Sequence, residues 1–170
     1  MRRAMLYLLV AVLVLLAGQA AFAANQITVT VTLQQMGVSV TPVSWALGVM
    51  APEGSQTSWV SGNAGHFTAT NDGNVAADLT IAAASTSPSG WAPNLSAVGT
   101  DQYMIAFGKA VNPYTSEPTY TPFTTSTSLA ASVAAAGDLS FDLKFTAPAA
   151  DSAYNAGGET FTVSLAASAS

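Results

Sequence analysis

Few side chains in this sequence could perform acid, base or nucleophilic chemistry. His66 is the only histidine among 170 residues, and the chain contains no cysteine. A general base needs a nearby nucleophile and a carboxylate that orients it, and no Gly-x-Ser-x-Gly motif accompanies His66. Zinc prefers three or four nitrogen or sulfur ligands, which this composition does not supply. The sequence therefore predicts a solvated strand histidine, no enzyme activity, no metal site and no cofactor.

Two carboxylates on one alternating segment are candidates for an acid and base pair. Asp138 and Asp142 alternate with apolar residues and share one strand face with Ser140 and Lys144. Glycoside hydrolysis needs two carboxyl groups roughly 5 to 9 Å apart. Four residues along a strand span about 13 Å, so the spacing favours a solvated face with a diagonal contact to Lys144.

Oxygen-bearing side chains also cluster around Asp72. Together with Asn71, Asn74 and Asp78, it could offer oxygen ligands to calcium. The spacing does not fit the twelve-residue calcium loop, and Asn, Asp and Gly form tight turns without a metal. The pattern favours a hairpin turn at residues 71–74, and calcium binding near Asp72 stays an open alternative.

Four aromatic residues could contact a ligand. Trp59, Trp91, Tyr114 and Tyr120 are the candidates for a flat platform of the kind that binds sugar rings. Trp91 has an alternative position, at the open end of a β-sandwich. Trp45 is in phase with the apolar residues that follow it and is predicted to be core, because large aromatic side chains dominate core burial.

The first 23 residues have the order of a secretory signal peptide. Arg2 and Arg3 precede an apolar run at residues 6–17, and small residues precede the peptide bond after Ala23. The apolar run is short for a bilayer span of about 20 residues. We expect cleavage after Ala23, export by the general secretory route, and one folded domain over residues 24–170 without a membrane span.

Loss of this leader leaves a markedly acidic chain. Lys109 and Lys144 are then the only basic residues against nine acidic ones, a formal net charge of −7. Phosphate binding needs clustered Lys and Arg, so nucleic acid is excluded as a partner. Without cysteine, stability has to come from a packed core rather than from disulfides.

Apolar and polar residues alternate over most of the remaining chain. Over Ile27–Gln34 every second residue is apolar and the others are polar, which is the period of a half-buried strand. The same alternation recurs at 38–40, 45–49, 67–70, 75–81, 103–107, 139–145 and 161–165. Residues 130–136 favour a loop or edge strand over a helix. The pattern predicts an all-β, antiparallel sandwich of about 7 to 9 strands.

One stretch resembles a known class of module. Phe67–Ile81, with its Asn-Asp-Gly-Asn turn, is similar to a hairpin of bacterial and archaeal immunoglobulin-like modules on secreted proteins, including cell-adhesion-related repeats. Gly90-Trp91 and the segments around Gly137–Leu143 and Pro148 also resemble these modules. The resemblance covers about Phe67 to Leu165. It implies an immunoglobulin-like fold on a secreted protein and carries over no functional residue.

Two function classes remain open. The first is a secreted or cell-surface structural or adhesive protein whose partners are other surface or extracellular-matrix proteins, including further copies of itself. In its self-assembling form, the strand at Ile27–Gln34 completes a neighbour's sheet; the alternative is that this strand pairs within its own domain. The second class is a carbohydrate-binding module that contacts polysaccharide through Trp59, Trp91, Tyr114 and Tyr120.

The leader generates the first prediction. When the whole chain is expressed in a bacterial host with a secretory system, the exported protein should begin at Ala24, because the residues before the predicted cleavage site are small. Intact-mass spectrometry and N-terminal sequencing measure this. An exported protein that still begins at Met1 would contradict the cleavage, and Ala23→Asp should block processing while Gln26→Asp should not.

Overall fold

A computed structural model describes residues 30–96, 98–110, 114–152 and 158–170. The predicted signal peptide and residues 27–29, at the start of a predicted strand, lie outside these ranges. From Gln34 onward the described residues form one compact unit, and Thr30–Leu33 fall outside it.

The described residues contain ten strands and no helix, which confirms the all-β prediction. Within these residues no helix is long and apolar enough to cross a membrane. The strands are β1 Val38–Thr41, β2 Ser55–Thr57, β3 Phe67–Asn71, β4 Ala77–Ala83, β5 Ala92–Asn94, β6 Gln102–Lys109, β7 Thr121–Pro122, β8 Thr127–Val133, β9 Asp138–Thr146 and β10 Val163–Ala169. The count exceeds the predicted 7 to 9 because β2, β5 and β7 have only two or three residues, too few to show an alternating pattern.

The strands form two sheets. The larger has seven strands in the order β1-β3-β9-β6-β5, with β2 also paired to β9 and β7 to β6. The smaller has three strands in the order β10-β4-β8. All pairs between these strands are antiparallel except β5 with β6. This arrangement is compatible with a β-sandwich.

The core draws on the inward faces of both sheets. In the larger sheet, Phe67 on β3 stacks on Phe141 of β9, with ring centroids 5.5 Å apart. In the smaller sheet, Leu79 and Ile81 of β4 are fully buried. The alternating residues of these strands are therefore core residues, as their period of two predicts. Residues 130–133 belong to β8, an edge strand as predicted.

The turn at residues 71–74 is present, but the predicted hairpin is wrong. β3 pairs with β1 and β9, whereas β4 pairs with β10 and β8. The turn therefore carries the chain from one sheet to the other. Turn chemistry shows where a chain changes direction, and it does not show whether the next strand pairs with the previous one or packs over it.

The buried Asn71 side chain explains this change of sheet. Its Nδ2 donates hydrogen bonds to the carbonyl oxygens of Val75, Val133 and Ala134 at 2.9, 2.9 and 3.1 Å. Its Oδ1 accepts a hydrogen bond from the N–H of Gly73 at 2.9 Å. One amide thus joins the end of β3 to its own turn and to the end of β8 in the other sheet.

The connection from β8 to β9 is a second cross-sheet turn at the same end of the domain. The N–H of Asn71 donates to the carbonyl of Gly137, and the N–H of Ala136 donates to the carbonyl of Asn71, both at 2.9 Å. The backbone of Asn71 therefore fixes this turn while its side chain fixes the other. Both turns depend on a single residue.

Two predicted strands are not formed in the residues that the structure describes. Thr30–Gln34 lie outside any strand and are exposed, although their residues alternate. Residues 45–49 are not a strand either: Trp45 and Leu47 pack against the core, whereas Val49 is 105% exposed. Gly48, at a φ of 68°, interrupts the extended backbone there. Trp45 is thus half-buried and contacts the core, as the core assignment predicts.

The Asn71 network generates a stability prediction. Asn71→Ala should lower the free energy of unfolding by on the order of 3 kcal/mol, because it leaves buried carbonyl groups without a donor. Chemical denaturation measures this, with Asn63→Ala in an exposed turn as the matched control. Equal midpoints for the two variants would show that the Asn71 bonds do not hold the sheets together.

Candidate functional site

An apolar groove lies between the edge strands of the two sheets. β1 is the edge of the larger sheet, and β10 is an edge of the smaller one. The groove has a volume of about 520 Å³, and its walls include Val40, Trp45, Phe67, Val163 and Leu165. It is termed the edge groove below.

The edge groove reaches residues of the core. Phe141 and Leu143 of the central strand β9 line it, and both belong to the buried core cluster. At the rim, the Trp45 ring meets the Phe67 ring edge-on at a centroid distance of 6.4 Å. The two sheets therefore leave a cleft on this side in which further apolar side chains could pack against the core.

A second cavity continues the edge groove along the domain. It has a volume of about 390 Å³ and shares Leu47 and Phe161 with the edge groove. Its further walls include Phe145 and Trp91, and the indole Nε1 of Trp91 donates to the Asp151 carboxylate at 3.3 Å. Together the two cavities form one long apolar cleft that ends near Trp91.

One carboxylate lies at the junction of these cavities. Glu159 lines both, and its two oxygens accept hydrogen bonds from the Ser89 N–H at 3.0 and 3.2 Å. Burial raises the pKa of the Glu159 carboxyl. Hydrogen bonds from Ser89 and Thr86 lower this pKa by a larger amount together, so the net shift is downward. The cleft therefore has mainly apolar walls with two carboxylates, Glu159 at the junction and Asp151 in the second cavity.

The four candidate sugar-binding aromatics are half-buried. Trp91 packs against the core cluster. Tyr120 lies under Lys144, whose Nζ is 5.8 Å from the ring centroid, on the face of β9 opposite to the core. Among the described residues, no ring contact joins any two of Trp59, Trp91, Tyr114 and Tyr120. The sugar platform stays a prediction.

Trp59 and Tyr114 belong to two neighbouring loops. The N–H of Gly62 donates to the carbonyl of Tyr114 at 2.8 Å, which joins these loops. For Tyr120, burial raises the pKa of the phenol, and the charges of Glu117 and Asp142 add to the shift. The phenol of Tyr120 therefore stays protonated at neutral pH.

The predicted solvated face of β9 is wrong at Asp142, which is fully buried. Its Oδ1 accepts hydrogen bonds from the Ser58 hydroxyl at 2.9 Å and the His66 N–H at 3.0 Å. Ser58 Oγ in turn accepts the N–H of Leu143 at 2.9 Å. The segment from Ser58 to His66 thus covers this face, and Lys144 contacts Tyr120 rather than Asp142. Asp138 is exposed, as predicted.

His66 is exposed, as the sequence predicts for a solvated histidine. It precedes β3, and its ring lies edge-on to Phe67 at a centroid distance of 4.8 Å. In the described ranges, no group of three or more acidic or histidine side chains could hold a metal ion.

Three of the side chains considered as calcium ligands, Asn71, Asn74 and Asp78, accept hydrogen bonds from backbone N–H groups. Asn74 Oδ1 accepts the N–H of Gln35 at 2.8 Å, and Asp78 Oδ1 accepts the N–H of Ser132 at 2.8 Å. Asp72 is exposed, and its own N–H donates to the carbonyl of Gly37 at 3.0 Å. These contacts explain the Asn-Asp-Gly-Asn sequence as turn chemistry.

No family model, curated protein or solved structure matches this chain. Its function is therefore argued from the residues and their geometry.

The buried Asp142 contact generates a third prediction. Ser58→Ala and Asp142→Ala should each lower the free energy of unfolding. The double variant should lose about 1 to 3 kcal/mol less than the sum of the two single losses, because each single substitution already removes the hydrogen bond that Ser58 and Asp142 share. Denaturation of the four proteins measures the coupling. Pairing Ser58→Ala with the distant Asn71→Ala is the control. Additive losses for Ser58 and Asp142 would contradict the contact.

Proposed function

We propose that this chain is a secreted, non-catalytic structural or adhesive protein of the cell surface or extracellular matrix, and that it associates with copies of itself by β-strand addition. The single observation that carries the proposal is the exposure of an alternating segment. Val31 is 76% exposed and Leu33 is 78% exposed, and neither lies in a strand. A sequence with the period of a half-buried strand thus presents its apolar residues to solvent.

Burial of these residues offers a large gain. Covering a Val or Leu side chain contributes about 1.5 to 3 kcal/mol relative to leaving it exposed. The intervening residues Thr30 and Thr32 have high strand propensity and tolerate water. The segment therefore has an apolar face, a polar face and extended-chain preference, which are the properties of a strand that adds to a sheet edge.

The proposed location outside the cell is supported by the sequence. Arg2, Arg3 and the apolar run at 6–17 have the order of an export signal. Beyond that segment the chain has only two lysines and nine acidic residues, so its surface depends largely on Thr and Ser hydroxyls, which also supports this location.

The proposed relation to immunoglobulin-like modules is supported by two antiparallel sheets around one core. In that fold, several connections pass from one sheet to the other. The cross-sheet turn after Asn71 is compatible with such a connection, although it is not the hairpin on which the resemblance was first based. An experimental strand order that differs from the immunoglobulin pattern would remove this part of the proposal.

A matched pair of substitutions tests self-association. Val31→Asn places an amide on the apolar face of the segment, whereas Thr32→Asn places the same group on its polar face. We expect Val31→Asn to weaken association by about tenfold or more, because the loss of one buried Val corresponds to at least about 1.4 kcal/mol. Thr32→Asn should leave association nearly unchanged.

Sedimentation velocity over a range of protein concentrations measures both variants and the parent protein. A parent protein that stays monomeric at the highest concentrations would overturn the proposal. Equal weakening by the two variants would show that the alternation of the segment is irrelevant to association.

A further inference from the structure

We propose that the edge groove is the acceptor site for strand addition, and that its occupant is the segment Ile27–Gln34 of a second copy, which pairs with the free edge of β10. This inference rests on the proposed function and names the partner surface. Five features support it. The edge of β10 is regular and has no strand partner, the other sheet edges are less regular, and the alternating side chains of the segment fit the apolar groove. Neither strand carries an ionisable side chain, and the chain enters β1 at the end away from the groove.

The edge of β10 is open to pairing. Among the described strands, β10 pairs only with β4, over seven consecutive residue pairs without a register shift. Its sequence contains no Pro, Gly or charged residue from Val163 to Ala169. Natural edge strands are commonly blunted by proline, charge or a bulge, since an exposed regular edge invites another strand. β10 carries none of these protections.

The other sheet edges are less suited to pairing. β5 contains Pro93, which cannot donate a backbone hydrogen bond, and β1 is followed directly by Pro42. β8 is irregular, because its register with β4 shifts twice and Ser132 has a φ of 50°. These features favour β10 as the regular acceptor edge.

The faces of the donor segment match the groove beside β10. Val163 and Leu165 are half-buried and line the edge groove. A strand added along β10 places every second side chain on their side, where Trp45 and Phe67 form the opposite wall. The apolar residues of the segment would fill this space, and its threonines would face water.

Charge does not oppose this pairing. Neither Ile27–Gln34 nor β10 contains an ionisable side chain, so bringing them together buries no charge. Glu159 is the only ionisable residue among the groove walls, and the N–H of Ser89 already bonds to its carboxylate.

The direction of the chain favours a second copy as the source. The Gln35 carbonyl accepts the N–H of Asn74 at 3.1 Å, and the Gly37 carbonyl accepts the N–H of Asp72 at 3.0 Å. The chain is thus held beside the Asn71 turn before it forms β1. The groove borders the other half of β1, at Val40.

Cysteine cross-linking tests the proposal, because the natural chain has no cysteine. Val31→Cys labels the donor, and Val43→Cys labels the rim of the groove, where Val43 is 89% exposed. Ser128→Cys labels the opposite edge of the same sheet, on β8, as the matched control. The exported chains, each with one cysteine and a different affinity tag, are mixed in pairs and treated with a short bismaleimide.

We expect the Val31→Cys and Val43→Cys pair to form a mixed dimer at least about tenfold faster than the Val31→Cys and Ser128→Cys pair, because strand addition raises the local thiol concentration at the groove. Preferred linkage to Ser128→Cys, or equal linkage to both, would overturn the groove as acceptor. A chain that carries both Val31→Cys and Val43→Cys and links only within itself would overturn the second copy as the occupant.

These outcomes separate the two proposals. Association in sedimentation without linkage at the groove removes this inference and leaves the proposed function standing, whereas a lack of association removes both. A second pair of variants gives an independent readout: Leu165→Asn on the groove side of β10 should weaken association at least about tenfold, and Ser164→Asn on its other face should not. Circular dichroism verifies that both variants stay folded, and equal association by both would count against the groove.

Discussion

The two-sheet structure depends on the hydrogen bonds of Asn71. This buried residue joins the turn that follows β3 to the turn that precedes β9, so two of the passages between the sheets are fixed at one end of the domain. The same turn also holds Gln35 and Gly37 before the chain forms β1. The side between β1 and β10 has no such connection, and the edge groove lies there.

The core could be predicted from sequence because its signal is local. Phe67 and Leu79 alternate with polar residues in their strands and are buried as that period requires. Sheet membership could not be predicted in the same way. The turn at residues 71–74 has the composition of a hairpin, but the amide of Asn71 bonds to carbonyls more than 60 residues away, and no local pattern contains that contact.

The candidate groove could not be predicted from sequence. The alternation of Ile27–Gln34 predicts a strand, and its donor role stays a proposal, whereas the groove arises from the relative position of two edge strands that are far apart in the chain. Asp142 shows the same limit, since its place on a polar strand face indicated solvent and a distant segment covers it. An apolar stretch such as Val43–Val49, which fits no strand in the structure, is the one local signal that could have indicated the groove.

Hydrogen exchange along β10 tests strand addition most directly. The backbone N–H groups on the free edge of β10 have no strand partner in the described part of the chain, so they should exchange quickly in dilute, monomeric protein. In concentrated, associated protein the account predicts strong slowing in β10 and in Thr30–Gln34 together, with β5 and β8 unchanged. Association that leaves exchange in β10 unaltered would contradict strand addition at this edge.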